Sequence, residues 1–428
     1  MKLLRWDDLD DAGRRDALAR PAARTDVRVV EGVRAILDEV AAEGWPAVAR
    51  HALRLDGAPP TLVRVAPAAA EARTTLPADA VAAMALAHAN LTAVHENQRP
   101  APTRTEPVPG LVVETAWRPL DRVGLYVPGG ATPLFSTLLH LAVPARAAGV
   151  TDLVVCTPPR ADGELDPAIA LAADLCGLDA VWTLGGAQAI AAMALGAGPI
   201  APVAKVCGPG NAWVAEAKRQ AAACPGGPAL DMPAGPSELM VIADRDADPV
   251  AVAADLLGQA EHDAHAQVLL VTPSAPLAEA AVAEVARQAA SLPRDAQLAS
   301  SVAAARAILV RDLATAAAVA NAYAPEHLHL AVADFEALVP AITNAGAVFA
   351  GHSVAETFGD YLTGSSHVLP TDGAARAWSG VGVHTFLRAM SVQRMTPQAA
   401  ARLAAPAAAL ARLEGLEAHA RAAERRGA

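Results

Sequence analysis

Two shortages in this sequence of 428 residues exclude whole classes of protein. The only lysines are Lys2, Lys205 and Lys218, and the formal net charge of −11 is spread without a basic patch. This charge pattern argues against nucleic acid or an anionic membrane as a partner. The 4 cysteines show no Cys-x-x-Cys spacing, which excludes a cysteine-based zinc site and fits a reducing compartment without disulfides.

Long apolar runs are also missing, although 53% of the residues are hydrophobic, because alanine supplies much of that share. No uninterrupted stretch reaches the length of a transmembrane helix. The start, Met1–Asp8, runs straight into acidic residues, which is not the pattern of a signal peptide. We therefore expect a cytoplasmic protein that is long enough for two or three domains.

From Val113 onwards, short apolar strands, glycine turns and helices alternate at the spacing of parallel sheets wound with helices. The predicted fold is α/β, with two wound parallel-sheet (Rossmann-like) domains and terminal helical segments. Pro100–Pro109 is predicted to be a linker, and the chain is predicted to be helical from Val392. The predicted order is a helical arm over 1–24, a first α/β domain over 25–103 and 232–385, a second α/β domain over 104–231, and a helical tail over 386–428.

Gln259 and His262 lie at the end of a predicted helix and are three residues apart, so they share one face. An amide oxygen and an imidazole nitrogen can both bind zinc, although glutamine is an unusual ligand. Two ligands do not make a site, and the alternative is a polar helix end. Asp360 is a carboxylate that could complete a zinc shell.

Two glycine turns, Gly185-Gly186 and Gly208–Asn211, lie between a predicted strand and a predicted helix. Glycines at such a position let backbone amides approach an anion at the helix N-terminus. Neither turn is the Gly-x-Gly-x-x-Gly fingerprint of a dinucleotide fold. Tight turns without a ligand remain the alternative.

Glu326 and His327 are adjacent at the start of an apolar, strand-like run, at the strand's mouth, where ligands collect in wound α/β sheets. Histidine titrates near neutrality, as a general base must. A surface Glu-His pair is the alternative. Glu414 and His419 lie in the Ala-rich tail, where such residues normally face solvent. The tail is too thin for a core of its own and should dock on another surface, such as a second subunit.

Eight runs occur in an order that resembles the histidinol dehydrogenase family over nearly the whole chain, from about residue 24 to 419. Each run is weak alone, and their number and order make the resemblance specific. The runs are 123–130 (VGLYVPGG), 184–190 (LGGAQAI), 208–211 (GPGN), 231–238 (DMPAGPSE), 259–262 (QAEH), 323–328 (YAPEHL), 359–361 (GDY) and 367–370 (HVLP).

The resemblance implies a fold of two wound domains whose terminal helical pieces interlock a homodimer. It also implies one zinc ion per subunit, with the metal in the first α/β domain and NAD+ in the second. The implied zinc ligands are Gln259, His262, Asp360 and, from the tail of the partner subunit, His419. The implied NAD+ contacts are Tyr126, Gln188 and Asn211.

The same resemblance implies oxidation of L-histidinol to L-histidine through histidinal, with two NAD+ consumed per turnover, at the end of histidine biosynthesis. Glu326 and His327 would be the catalytic pair. The implied substrate contacts are Ser237, His327, His367 and Glu414, together with the metal ligands Gln259, His262, Asp360 and His419.

Two residues depart from the family pattern. Ser366 stands where the pattern has Asn, and Phe358 is bulkier than usual beside Gly359-Asp360. The alternatives left open are a dehydrogenase for another small polar alcohol or sulfonated diol, a zinc hydrolase that uses Glu326 to activate water, and a non-catalytic nucleotide-binding protein.

Overall fold

The computed structural model describes residues 1–20, 26–129, 133–233, 235–292 and 295–427. Residues 21–24 of the predicted arm, Gly130 and Ala234 of two sequence runs, and Ala428 of the predicted tail lie outside the described residues. Within the described ranges, none of the helices has the length and apolar character that crossing a membrane requires.

Strands and helices alternate along most of the chain. The strands are β1 Lys2–Arg5, β2 Thr61–Arg64, β3 Thr103–Val108, β4 Leu111–Pro119, β5 Arg122–Tyr126, β6 Asp152–Thr157, β7 Ala180–Thr183, β8 Lys205–Cys207, β9 Ala229–Leu230, β10 Glu238–Ala243, β11 Gln267–Thr272, β12 Arg306–Leu309, β13 His327–Ala331, β14 Ala347–Ala350 and β15 Leu387–Met395. The helices are α1 Asp11–Ala17, α2 Val27–Glu43, α3 Trp45–Leu55, α4 Val65–Thr75, α5 Ala78–Glu96, α6 Phe135–Ala148, α7 Pro167–Leu175, α8 Gly186–Leu195, α9 Ala212–Ala223, α10 Pro249–Ala260, α11 Ala275–Ala289, α12 Asp295–Ala304, α13 Leu313–Tyr323, α14 Phe335–Leu338, α15 Glu356–Tyr361, α16 Pro397–Leu413 and α17 Glu417–Gly427.

The core is built on two six-stranded sheets. The first sheet has the order β1-β12-β11-β10-β13-β14, and all its strand pairs are parallel. The second has the order β2-β7-β6-β5-β8-β9 and is parallel except for the edge pair β2-β7. Every residue of β10 and β11 is buried, as expected when helices cover both faces of a parallel sheet. The predicted α/β class with wound parallel sheets is confirmed.

The helices α2 to α5 cover the second sheet and β2 joins it, so the predicted assignment of this segment to the first α/β domain is wrong. β2 pairs with β7, with Thr61 opposite Thr183. Val33 and Ile36 of α2 share a buried apolar cluster with Ile190 of α8. The helices of this segment bury their apolar faces against the second sheet, a choice of partner that hydrophobic periodicity does not specify.

The predicted linker and both terminal segments contain strands. β1 lies in the predicted helical arm and pairs with β12. β3 lies in the predicted linker, and it joins β4 and β15 in a three-stranded antiparallel sheet. The prediction of helix from Val392 is therefore wrong as far as Met395, because pairing with the distant β4 outweighs the local pattern. The helical part of the tail begins at Pro397.

Candidate active site

A cavity of about 160 Å³ is lined by residues from the segments of both six-stranded sheets. It brings together seven residues predicted from the sequence, namely Ser237, Gln259, His262, Glu326, His327, Asp360 and His367. Ser237 and Glu326 immediately precede β10 and β13, so this wall is the amino edge of the first sheet. Gly208 follows β8 and contributes the carboxyl edge of the second sheet. Glu326 and His327, the predicted catalytic pair, therefore lie at the amino edge of their sheet and not at the carboxyl edge, where ligands usually collect.

The backbone holds His327 in one tautomer. Its Nδ1 lies 3.0 Å from Glu238 O, and because a carbonyl oxygen only accepts, Nδ1 carries the proton. Nε2 is then the basic nitrogen of the neutral ring, and it is buried with no hydrogen-bond partner among the described residues. Glu326 Oε2 lies 3.5 Å from His327 Nδ1 and accepts the N–H of Glu238 at 2.8 Å. A neutral imidazole with a free basic nitrogen is the arrangement of a general base.

Three carboxylates surround the imidazole of His327. Glu356 Oε1 lies 3.7 Å from its Nδ1, and His327, Glu356 and Asp360 offer ligand atoms within 4.8 Å of one another. Burial disfavours the charged imidazolium, but the negative charges of Glu326, Glu356 and Asp360 outweigh it and raise the pKa of His327 to about 10. Burial raises the pKa of Glu356 to about 8. Glu356 is a member of this site that no sequence run singled out.

Donor atoms suited to a metal ion lie along the same wall. Gln259 is 1% exposed, and its Oε1 has no partner in the part of the chain that the structure describes. A buried polar atom without a partner calls for a ligand, water or ion. His262, just beyond α10, is exposed, and Asp360 is half-buried in α15. Oxygen and imidazole donors of this kind fit a zinc ion.

Glu414 and His419 do not reach the cavity of their own chain. Both are exposed and flank the junction of α16 and α17, two helices that pack against each other. Neither is among the described residues that line the cavity. The structure thus brings three of the four predicted metal ligands together within one chain and leaves His419 apart.

His367 is oriented by a second histidine. Its ring stacks on that of His140, with centroids 3.9 Å apart and planes 4° from parallel. The backbone N–H of His367 donates to His140 Nδ1 at 3.1 Å, and His367 Nδ1 lies 3.1 Å from Asp360 O. Ser366, which departs from the family pattern, accepts the N–H of Val368 at 3.1 Å and so stabilises the backbone beside the stack.

The three predicted NAD+ contacts lie at the carboxyl edge of the second sheet. Tyr126 ends β5, and its hydroxyl accepts the N–H of Gly186 at 3.1 Å. Gln188 is buried in α8 and donates to Asp56 Oδ2 at 3.0 Å. Asn211 is the N-cap of α9. Burial raises the pKa of Tyr126 to about 12, so the hydroxyl stays neutral in the physiological range.

A buried ion pair clamps the Gly208 turn. Gly208 has φ +124°, and a Cβ there would lie 2.0 Å from Tyr126 O, so the position requires glycine. Lys218 Nζ lies 2.5 Å from Asp231 Oδ1 and donates to Gly208 O at 2.7 Å. Asp231 Oδ2 accepts the N–H of Gly208 at 2.7 Å. The sequence analysis predicted the turn at Gly208 but not the ion pair between Lys218 and Asp231. Lys218 is one of only three lysines in the sequence, and this rarity could have drawn attention to it.

Comparison with known proteins decides the family. The model of the family described as histidinol dehydrogenase matches residues 18–427. The chain belongs to the histidinol dehydrogenase family. The histidinol dehydrogenase of Xylella fastidiosa (strain 9a5c) is 45% identical over 423 residues, 99% of this chain and 98% of its own. That of Rhizobium meliloti (strain 1021) is 44% identical over 424 residues, 98% of this chain and 97% of its own.

A solved structure agrees with these histidinol dehydrogenase relatives. The crystal structure of histidinol dehydrogenase from Elizabethkingia anophelis matches this chain with a TM-score of 0.95 at 34% identity, covering 100% of this chain and 98% of that one. Membership of the histidinol dehydrogenase family makes this chain an oxidoreductase, which confirms the predicted class of enzyme. The hydrolase and non-catalytic alternatives are excluded, and these relatives give no support to another alcohol or sulfonated diol as substrate.

Proposed function

We propose that this chain oxidises L-histidinol to L-histidine through histidinal, with two NAD+ consumed per turnover, as the last steps of histidine biosynthesis. The observation that carries the proposal is the buried Nε2 of His327, which has no hydrogen-bond partner among the described residues and lies in one cavity with Gln259, His262 and Asp360. Relatives named histidinol dehydrogenase at 45% identity support the choice of substrate.

Glu326 and His327 would carry out the proton transfers. Nε2 of neutral His327 would take the hydroxyl proton of histidinol as hydride departs, and Glu326 would then activate a water molecule that attacks the aldehyde. After passing its first proton to solvent, His327 would deprotonate the resulting gem-diol before the second hydride departs. NAD+, held against Tyr126, Gln188 and Asn211, supplies the hydride acceptor for both steps.

The metal would be one zinc ion per subunit, held by Gln259, His262 and Asp360 together with His419 of the partner subunit. When bound, it supplies a Lewis-acidic template that orients the imidazole and amine of the substrate. The buried amide oxygen of Gln259, for which the described ranges of the chain supply no hydrogen-bond partner, supports this set of ligands. Holding the carbinol carbon in place saves orientational entropy in the reaction.

A homodimer would deliver the tail of one subunit to the cavity of the other. Leu410 and Leu413 of α16 are 66% and 85% exposed, which supports a surface that a second copy covers. Substrate contacts would then come from Ser237 and His367 of one subunit and from Glu414 of the partner subunit.

Counting the NADH formed per histidinol consumed tests this function directly. We expect a ratio of about two, because an alcohol loses two hydrides on its way to an acid. Removing the metal with a chelator should abolish turnover, and adding zinc back should restore it. A ratio of one, or full activity in metal-free protein, would contradict the proposal.

Turnover should rise with pH, because His327 must be neutral to act as a general base. The rise should lie above pH 6.5, the approximate pKa of a free imidazole, because the neighbouring carboxylates raise the pKa of His327 to about 10. Glu356→Gln should move this rise to lower pH, since it removes a negative charge that favours the imidazolium. Profiles of kcat against pH for both proteins check the direction, and an unchanged or upward-shifted profile counts against it.

A further inference from the structure

We infer that Arg20, through its ion pair with Glu238, is a positioning residue for Glu326 and His327, a role that rests on the proposed function. Arg20 belongs to the N-terminal arm and is 218 residues from Glu238 in sequence. No sequence run singled it out. Through Arg20, the N-terminal arm therefore helps to position the catalytic pair in addition to packing against the first sheet.

One peptide segment holds both catalytic side chains. The N–H of Glu238 donates to Glu326 Oε2 at 2.8 Å, and the carbonyl of Glu238 accepts from His327 Nδ1 at 3.0 Å. Glu238 is the first residue of β10, so only one side of it is restrained by a continuing strand. A rotation of the backbone at Glu238 would disturb the carboxylate of Glu326 and the tautomer of His327 together.

The side chain of Glu238 restrains that segment in addition to the backbone bond from Gln267 N–H to Ser237 O, which is 3.0 Å long. This side chain is buried, and Arg20 donates Nε–H to Glu238 Oε1 and Nη2–H to Oε2, the latter at 2.9 Å. The backbone N–H of Asp372 donates to Glu238 Oε1 at 3.1 Å. A two-point contact of a guanidinium with a carboxylate fixes orientation as well as position.

Arg20 also braces the chain that leads into the catalytic pair. Its Nη2–H donates to Tyr323 O at 2.9 Å, and its guanidinium lies over the Tyr323 ring, 3.9 Å from the centroid. The next residue, Ala324, has φ +55°, a left-handed conformation that costs energy for a residue with a Cβ. A single guanidinium therefore connects the segment before Glu326 with the segment that hydrogen-bonds to His327.

Replacing Arg20 tests this role by separating kcat from KM. Arg20→Gln should lower kcat for histidinol by on the order of a hundredfold, since small displacements of catalytic groups have effects of that size. KM for histidinol should change by less than about threefold, because the proposed metal ligands Gln259, His262 and Asp360, which would hold the substrate, are not among the described hydrogen-bond partners of Arg20 or Glu238. Arg20→Lys keeps the charge without the planar fork and should give an intermediate kcat. An unchanged kcat in Arg20→Gln would overturn the inference.

Two further variants separate positioning from general stability. Arg306 donates to Ala17 O at 2.9 Å and Ala19 O at 2.8 Å, so Arg306→Gln loosens the same arm without touching Glu238. It should retain kcat within about threefold. The double variant Arg20→Gln/Glu238→Gln removes both charges of the pair, so no unpaired carboxylate stays buried, and it should regain thermal stability relative to Arg20→Gln while kcat stays low. Equal kcat losses in Arg306→Gln and Arg20→Gln, or recovery of kcat in the double variant, would contradict positioning.

The tautomer of His327 gives a readout that does not depend on the substrate. Nitrogen-15 shifts of the histidine side chains, followed to a pH at which the ring of His327 is neutral and assigned with His327→Asn, should show a proton on Nδ1 alone in the unsubstituted protein and a mixture of tautomers in Arg20→Gln. Inactivity of the unsubstituted protein on histidinol would refute the proposed function alone. An unchanged tautomer in Arg20→Gln would refute the positioning role alone.

Discussion

His327→Asn should lower turnover by about a hundred- to ten-thousandfold, the contribution expected of a general base. Asparagine can still donate from its amide to the carbonyl of Glu238, which accepts from His327 Nδ1 at 3.0 Å. It offers no nitrogen basic enough to replace Nε2, which has no hydrogen-bond partner in the described part of the chain. Steady-state kcat with histidinol, measured on protein whose metal content is known, checks this expectation.

Metal content and a second variant serve as its controls. His327→Asn should retain zinc, because His327 is not among the proposed ligands. Glu326→Gln should slow the oxidation of histidinal more than that of histidinol, since only the aldehyde step needs activated water. Near-normal turnover in His327→Asn would refute the base assignment. Equal slowing of both half-reactions by Glu326→Gln would count against a water-activating carboxylate.

His262→Asn and His419→Asn should each remove nearly all activity, and mixing the two inactive chains should restore part of it. If a site combines the cavity of one subunit with the tail of the other, a hybrid dimer has one site with both histidines intact. Random mixing at equal amounts makes half the dimers hybrids, so about a quarter of the unsubstituted activity should return. The exposed position of His419, apart from the cavity of its own chain, is the reason to expect sharing.

The mixing experiment needs proof that subunits exchange. Chains with different affinity tags, unfolded and refolded together, allow the hybrid to be isolated and its zinc content measured. The isolated hybrid should carry about half the zinc and half the activity of the unsubstituted dimer. An isolated hybrid without activity would mean that each chain builds its own site, and it would overturn the proposed place of Glu414 as well.

The wound sheets were predictable from sequence because each βα unit is coded locally. Apolar runs that end at glycine or polar turns coincide with the strands β5, β6, β7, β10 and β11. Hydrophobic periodicity detects such runs. The packing of the helices within 26–103 on the second sheet was not predictable in this way. An amphipathic pattern shows which side of a helix is buried, but it does not show which sheet that side packs against. β15 was misjudged for the same reason, because its partner β4 is distant in sequence.

In the candidate site, too, local features could be predicted from the sequence and contacts between distant segments could not. Gln259 and His262 are three residues apart at the end of one helix, so the local sequence by itself determined that their side chains share a face. Glu326 and His327 are neighbours in the chain, so their closeness was also determined locally. Only the tertiary structure decided that Glu238 hydrogen-bonds to both members of the proposed catalytic pair and that Arg20 holds Glu238. The physical reason is that these contacts join segments far apart in the chain, and a hydrogen bond between distant segments leaves no periodic trace in the sequence.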